Sequence, residues 1–242
     1  MFRLAKWLPC MAVLAGAIML GGPPTARADF TLTLEDVNAG SGSIVTIHGT
    51  GTVSTGGFIN VGSFNVSVSG ISTAPANNPA DVNQTTSTFS YSGSGSDTLK
   101  VKISDDTFTG FGSGQTATLN LGLSTTKIAD GVTGTATAFY TDGGGTTTAG
   151  PVSLSGPFSA PGGESAPPSS AIVATGLGST FTLGNELDIT VNGSTKGIDS
   201  NFTVDSNIAV PAPPSMVMAF SALPIFGLSA WLRRRKMALL AA

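Results

Sequence analysis

The residues of this 242-residue chain that could carry chemistry are mainly carboxylates in close pairs. The pairs are Glu35 with Asp36, Asp105 with Asp106, and Glu186 with Asp188. Glycoside hydrolysis needs two carboxyl groups about 5–9.5 Å apart that face each other across a sugar. Neighbouring residues of a strand point to opposite faces, so Asp105 and Asp106 would make a poor pair. Glu186 and Asp188 could share a face, but acidic residues at a strand edge are ordinary in an acidic protein.

The single histidine, His48, is the other candidate for acid–base or metal chemistry. One histidine without nearby cysteines cannot form the usual His/Cys zinc set. A Ser-His-Asp triad is formally possible because serine is abundant, but no G-x-S-x-G sequence is present to place the nucleophile. We therefore predict that His48 is structural or simply exposed.

Clustered oxygen ligands occur near the end of the acidic region and make calcium the better inorganic candidate. Asp199, Asn201 and Asp205 are weak calcium candidates, with Asn207 close by. Their spacing is not that of an EF-hand loop, so a solvated turn is the favoured interpretation. The glycines at 143–145 are not a phosphate loop, because no G-K-[ST] follows them. The sequence thus predicts no catalytic residue, no metal and no cofactor.

Charge separates the middle of the chain from its ends. All fourteen acidic residues lie between Asp29 and Asp205, against four lysines in that interval, which gives it a net charge of −10. The interval contains no Arg, Cys, Met or Trp. An anionic surface without arginine disfavours nucleic acid and anionic lipid as partners. Without cysteine, the region must be stabilised by its hydrophobic core and not by disulfides.

Hydrophobic residues in this interval alternate with polar ones, which is the pattern of half-buried strands. Clusters of Gly, Asn, Asp and Ser separate the runs, and no amphipathic helix is apparent. About 180 residues suffice for one β-domain core. We predict an all-β exported domain over 29–209, an antiparallel β-sandwich or jelly roll. The runs are Phe30, Leu32 and Leu34; Phe64, Val66 and Val68; Leu99, Val101 and Ile103; Leu119, Leu121 and Leu123; Leu187, Ile189 and Val191; Phe202 and Val204.

Two segments read as irregular. Residues 74–83 (APANNPADVN) are expected to form a loop between strands. Residues 142–170 are rich in Gly, Thr, Ser and Pro, with few apolar residues beyond Val152, Leu154 and Phe158, and are expected to form a long surface loop.

The first 28 residues have the layout of a secretory signal peptide. Arg3 and Lys6 form the positive region, Leu8 to Leu20 the apolar core, and Ala26 and Ala28 the small-x-small cleavage site. Cys10 lies early in the apolar core, far from that site, so it is not read as a lipoprotein cysteine.

The C-terminus combines three features in order. A Pro-rich motif at 210–215 (VPAPPS) leads into an uncharged apolar run at 216–232, about 25 Å long as a helix. Such a length is the short end of what spans a bilayer. Arg233, Arg234, Arg235 and Lys236 then stop the run, because each cation costs about 2.5–3.5 kcal/mol at mid-membrane. The cations are expected to stay in the cytoplasm with the tail at 237–242.

This arrangement resembles a PEP-CTERM sorting signal. The matching motif residues are Val210, Pro211, Pro213, Pro214 and Ser215, and Ala212 stands where an acidic residue is usual. The resemblance implies export in a diderm bacterium, transient anchoring in the inner membrane, and cleavage near the Pro motif by exosortase after signal peptidase has removed the leader. The product would remain at the cell surface or become extracellular, with extracellular polysaccharide as a further candidate partner and no role for nucleic acid.

The exported part also resembles, more loosely, a β-rich passenger found in PEP-CTERM proteins. The matching residues are 62–66 (GSFNV) and 99–109 (LKVKISDDTFT). The resemblance implies a β fold and no particular activity.

Three functions are ranked on these grounds. The first is a non-enzymatic surface or matrix protein. The second is a carbohydrate-binding or adhesive module, which an exposed aromatic cluster around Phe108, Phe111, Tyr91 or Tyr140 would favour. The third is a secreted hydrolase, which would need two facing carboxylates, or His48 beside a serine, in a cleft.

Overall fold

The computed structural model describes residues 29–39, 43–73, 80–109, 116–173, 180–193 and 198–209. These ranges form strands paired only in the antiparallel sense and contain no helix, which confirms the predicted all-β class. The strands are β1 (Phe30–Asp36), β2 (Ile44–Gly49), β3 (Thr52–Ser54), β4 (Ile59–Val61), β5 (Phe64–Ser72), β6 (Ala80–Tyr91), β7 (Asp97–Thr109), β8 (Ala117–Ile128), β9 (Val132–Asp142), β10 (Gly145–Ser155), β11 (Phe158–Ser165), β12 (Ser169–Val173), β13 (Thr180–Val191) and β14 (Ser200–Ala209).

The predictions for both ends of the chain lie outside the described residues. These are the cleavage residues Ala26 and Ala28, the motif at 210–215, the apolar run at 216–232 and the basic stop at 233–236. Among the residues that are described, no helix is long and apolar enough to cross a bilayer.

The strands form two sheets. One has six strands in the order β10-β9-β13-β7-β1-β2, and the other has eight, with β11-β8-β14-β6-β5-β3 along its main path. In the second sheet β12 also pairs with β8, and β4 pairs with β5. The last two strands are both internal to their sheets. Strand β13 lies between β7 and β9, and β14 lies between β8 and β6.

The inner faces of the two sheets share one hydrophobic cluster. The alternating apolar runs predicted from the sequence all point into it, as on β1, where Phe30, Leu32 and Leu34 are fully buried. The sheets approach each other closely where a glycine of one faces a large side chain of the other. A Cβ added at Gly134 on β9 would lie 2.3 Å from the Phe202 ring on β14, so only glycine leaves room for that ring.

The prediction of a long loop at 142–170 is wrong. Most of this segment is strand: β10 pairs with β9, while β11 and β12 both pair with β8. The pattern escaped detection because these strands bury little, with only Ala149 and Leu154 buried on β10. Pairing here is held mainly by backbone hydrogen bonds and Thr/Ser contacts across strands, such as Thr135 with Ser153 at 2.9 Å.

The expected loop at 74–83 is wrong for its last four residues, which open β6. Ala80 and Val82 point into the core, while Asp81 and Asn83 face outward. Residues 74–79 lie outside the described ranges. The strand was missed because amide and proline residues precede it and because several of its inward side chains, such as Gln84 and Thr86, are polar.

Candidate functional site: a bulge groove on the eight-stranded sheet

Strand β8 loses register with β14 and with β11 at the same place. Against β14, the pairing passes from Asn201–Lys127 to Thr203–Ser124, which leaves one extra residue on β8. Against β11, it passes from Ser159–Lys127 to Glu164–Thr125, which leaves three extra residues on β11. Bulges of this kind bend strands and re-aim side chains, and they are frequent beside functional sites.

The two irregularities create a hollow on the outer face of the sheet. It has a volume of about 440 Å³, within the range of roughly 300–1,000 Å³ typical of small-molecule sites. We call it the bulge groove. Glu164 is the one charged residue of its lining, and aromatic residues do not contribute to it. It is lined by Thr85, Ser87, Ser124, Thr125, Thr126, Gly162, Gly163, Glu164, Ser165, Asn201 and Thr203.

Part of this lining is fixed by internal hydrogen bonds. The Asn201 amide donates to Thr126 Oγ1 at 2.7 Å and accepts from the Thr126 backbone N–H at 2.9 Å. Thr125 Oγ1 donates to the Asn201 carbonyl oxygen at 2.5 Å. These bonds satisfy the polar groups that the bulge releases from the ladder, and they hold one end of the groove rigid.

A second hollow of about 310 Å³ continues the groove along β8 and β14. It shares Ser124, Ser165 and Thr203 with the first and adds apolar wall atoms from Leu123, Ala166 and Pro168. Its far end is formed by Asp205, whose carboxyl lies next to that of Asp81 on β6.

The Asp81–Asp205 pair has unusual electrostatics for a surface position. Burial, a hydrogen bond to Asp205 and the negative charge of Asp205 together raise the pKa of Asp81 from 3.8 to about 7. Ionising Asp81 would place a second negative charge beside Asp205, so Asp81 keeps its proton to a higher pH than an isolated carboxyl. One carboxyl oxygen of each, Asp81 Oδ1 and Asp205 Oδ1, is buried without a partner among the described residues.

A second carboxyl pair, Asp36 with Asp97, lies at the end of β1 beside the first residue of β7. Asp36 Oδ1 accepts from the backbone N–H groups of Asn38 and Ala39, and Oδ2 accepts from that of Ser63 at 2.8 Å. Burial raises the pKa of Asp97, and so do the charge of Asp36 and the hydrogen bond between the two carboxyls. A hydrogen bond from the Thr98 N–H acts in the opposite direction without cancelling this rise. With its oxygens occupied by donors, Asp36 organises a turn and is not free to hold a cation.

His48 is exposed on edge strand β2, which agrees with one of the two roles predicted for it, structural or simply exposed. Its Nδ1 is 3.1 Å from Asp29 Oδ1 and 3.3 Å from Thr31 Oγ1, and both contacts are exposed. The site resembles a surface ion pair, which contributes little to stability.

The carboxylate pairs take the faces predicted for them. Asp105 is fully buried and accepts from Thr107, whereas Asp106 is exposed, so the two point apart. Glu186 and Asp188 share the outer face of β13, where Lys100 on β7 donates to Glu186 Oε1 at 2.9 Å. Burial raises the pKa of Asp188, with the Lys100 charge acting against it.

The calcium candidates have separate partners. Asp199 pairs with Lys127, Asn201 bonds Thr126, and Asp205 adjoins Asp81. Within the described ranges, no group of three or more His, Cys, Asp or Glu side chains could hold a metal ion.

We expect millimolar calcium to shift the thermal unfolding midpoint of the chain by less than about 1 °C, because a ligand stabilises only when it binds the folded state. Differential scanning calorimetry with calcium and with a chelator would check this. A shift of several degrees that Asp205→Asn abolishes would contradict it.

The aromatic side chains considered for a sugar platform are mostly in the core. Phe108, Tyr91 and Tyr140 are buried, and Phe111 lies outside the described residues. Among the described aromatic side chains, Phe58 is 54% exposed and Phe139 faces outward. The Phe139 ring lies against Gly184, and the Lys102 ammonium is 4.8 Å from its centroid. Side chains alternate along β9, so Phe139, which follows the inward-facing Ala136 and Ala138, belongs to the outer face.

Sequence reasoning also missed the bulge groove. The signals available were the Pro-Gly-Gly at 161–163, typical of an irregular strand, and the polar run Ser124-Thr125-Thr126. Gly163 has φ of +70°, a left-handed conformation that favours glycine.

No protein-family profile and no curated protein matches this chain. Two solved structures of infectious bursal disease virus are similar to it, of the Gt strain and the Gx strain. The first has 12% sequence identity and a TM-score of 0.25, covering 81% of this chain and 62% of that chain. The second has 13% identity and a TM-score of 0.25, covering 79% and 67%. This chain therefore spans less than two thirds of the length of the Gt-strain chain, and so low a TM-score carries no argument about fold or function.

Proposed function

We propose that this chain is an exported, non-enzymatic surface or matrix protein. Its middle, 29–209, is a jelly-roll-like β-sandwich that a signal peptide exports and a C-terminal exosortase-type signal sorts. One observation carries this proposal: the last strand, β14, ends at Ala209, and the VPAPPS motif begins at the next residue. A cut within the motif would leave every described strand intact.

The non-enzymatic part of the proposal is supported by the partners of the candidate acids and base. Glu186 is paired with Lys100, Asp199 with Lys127, and His48 with Asp29. A general acid or base must reach a substrate proton within about 2.6–3.2 Å, and these groups instead bind their neighbours. They fit a solvated surface whose charges are paired with neighbouring charges.

A second candidate function is carbohydrate binding or adhesion. The observation that favours it is the bulge groove, a polar hollow of about 440 Å³ lined by hydroxyl and amide side chains. Such groups match the alternating donors and acceptors of sugar hydroxyls.

The sorting proposal predicts a change in C-terminal mass. When the full-length chain is expressed in a diderm host with exosortase, we expect the product to lose the residues after the Pro motif. In the same host lacking exosortase, it should keep them and stay in the inner membrane. Intact-protein mass spectrometry of membrane and released fractions measures both outcomes.

Two variants separate the motif from the anchor. Pro211→Ala with Pro213→Ala should block cleavage while leaving the chain in the membrane. Replacing all four cations at 233–236 by glutamine should instead weaken retention, because no charge then stops the apolar run at the membrane. An unchanged C-terminal mass with and without exosortase would refute the sorting proposal.

A further inference from the structure

We propose that the bulge groove binds a short segment of a neutral glycan chain. This inference rests on the second candidate function and names its site and ligand class. It starts from side chains that face the groove without a partner. Among the described residues, the hydroxyls of Thr85, Ser87, Ser124, Thr203 and Ser165 make no hydrogen bond to other protein groups.

Each free hydroxyl can donate one hydrogen bond and accept two. A ligand rich in hydroxyl groups offers the same mixture, so several such contacts can form together. An anionic ligand would meet Glu164 in the groove and Asp205 at its end, with no cation in the lining of either hollow. A purely apolar ligand would strip water from these hydroxyls without replacing its hydrogen bonds. Neutral polyhydroxylated ligands remain.

The rigid end of the groove lowers the cost of binding. The Asn201 side chain is fixed by Thr126, and the Thr125 hydroxyl bridges to the Asn201 carbonyl oxygen. Polar groups that are already held in place lose little conformational freedom when a ligand arrives. The bulged segment of β11 stands beside this cluster and supplies one wall.

The continuity of the two hollows sets the shape of the ligand. From Asn201 to Asp205, β14 advances about 13 Å at roughly 3.3 Å per residue. The hollows share three residues over this distance, so they form one channel. An open channel of this length suits a few linked sugar rings of a longer chain better than a single sugar.

The test uses the full-length chain, purified in a detergent without a sugar headgroup. The probes are neutral tetrasaccharides of glucose, mannose or galactose, with tetragalacturonate as the anionic comparison. By isothermal titration we expect at least one neutral probe to bind with a Kd of about 0.1–1 mM, as befits a shallow polar site. Tetragalacturonate should bind more weakly.

Two variants locate the binding. Thr85 and Thr203 are direct register partners on β6 and β14, so Thr85→Val with Thr203→Val removes two adjacent hydroxyls at almost constant shape. We expect this pair to weaken binding roughly tenfold. Gly122→Leu should also weaken binding, because the leucine side chain would fill the second hollow. The backbone can accept it, since a Cβ added at Gly122 meets nothing closer than Asp205 Cβ at 3.9 Å. The matched control is Thr137→Val on the outer face of the other sheet, which should leave Kd unchanged.

Three results would overturn the inference: no binding of any neutral probe at about 10 mM, tighter binding of tetragalacturonate, or an unchanged Kd in both groove variants. If the valine pair proves unfolded by circular dichroism, Gly122→Leu decides the question. Sorting is read from C-terminal mass alone, so failure of glycan binding leaves that proposal standing, and failure of sorting leaves the groove.

Discussion

A chain carrying Phe202→Ala is expected to unfold roughly 6–20 °C below the parent chain. Phe202 is fully buried on β14, at the centre of the eight-stranded sheet, and its ring lies against Gly134 of the opposite sheet. Removing a buried phenylalanine costs about 3–5 kcal/mol, because the transfer free energy is lost and a cavity remains. In a domain of this size, each kcal/mol lowers the midpoint by about 2–4 °C.

The measurement is thermal unfolding followed by circular dichroism. Phe158→Ala is the comparison variant, since Phe158 lies on edge strand β11 and is only partly buried. Phe158→Ala should lower the free energy of unfolding by less than half as much as Phe202→Ala. The contact itself is tested by Gly134→Ala, which should destabilise the parent because the added methyl collides with the ring. In the Phe202→Ala chain the same change should cost much less. Additive effects of the two substitutions would show that the predicted contact does not exist.

The free energy of unfolding is expected to fall as pH rises from about 4 to about 8. The pKa of Asp81 is raised to about 7 in the folded chain, and the pKa values of Asp97 and Asp188 are raised as well. A raised folded pKa means that the folded state holds its proton more tightly than the unfolded chain. The resulting stabilisation is complete below the unfolded value near 4 and is lost as pH rises through the folded value.

For Asp81 we expect a loss of about 1–2 kcal/mol, reduced from the full shift because the group is partly exposed to solvent. Asp81→Asn should flatten the profile and make the variant more stable than the parent at pH near 8, since the amide carries no charge beside Asp205. Asp106→Asn, on an exposed position of β7, is the control and should keep the parental slope. Urea unfolding at several pH values measures these energies. Stability that rises with pH, or a parental slope in Asp81→Asn, would contradict the assignment.

How far the sequence predicts this fold depends on what each strand buries. Strands such as β7 and β13 were predicted because each carries three alternating apolar residues that point inward, Leu99 to Ile103 on β7 and Leu187 to Val191 on β13. Strand β6 was not, because it turns Gln84, Thr86 and Thr88 into the core. Some of their polar groups have partners: Gln84 Nε2 donates to Thr86 Oγ1 at 2.9 Å within β6, and Thr88 Oγ1 donates to the distant Ile198 carbonyl at 3.0 Å. Gln84 Oε1 is buried without a partner among the described residues.

The groove was beyond prediction for a different reason. The Pro-Gly-Gly at 161–163 indicates an irregular strand, but only the tertiary pairing shows that it lies beside β8, where β14 also slips. Likewise, Asp81 and Asp205 are 124 residues apart in sequence, and they meet because β6 and β14 are adjacent strands. Such sites depend on strand order, which composition and periodicity do not specify.

The central places of β13 and β14 govern when the β-domain can fold. Each sheet lacks a middle strand until the last stretch of the domain has emerged, so no earlier segment can complete either hydrogen-bonded layer. Under the export proposal, the chain would stay unfolded until nearly all of it had passed through the translocation channel. Under the same proposal, folding would nearly coincide with arrival of the C-terminal apolar run at the membrane, and a chain truncated before Ser200 should stay unfolded and sensitive to proteases.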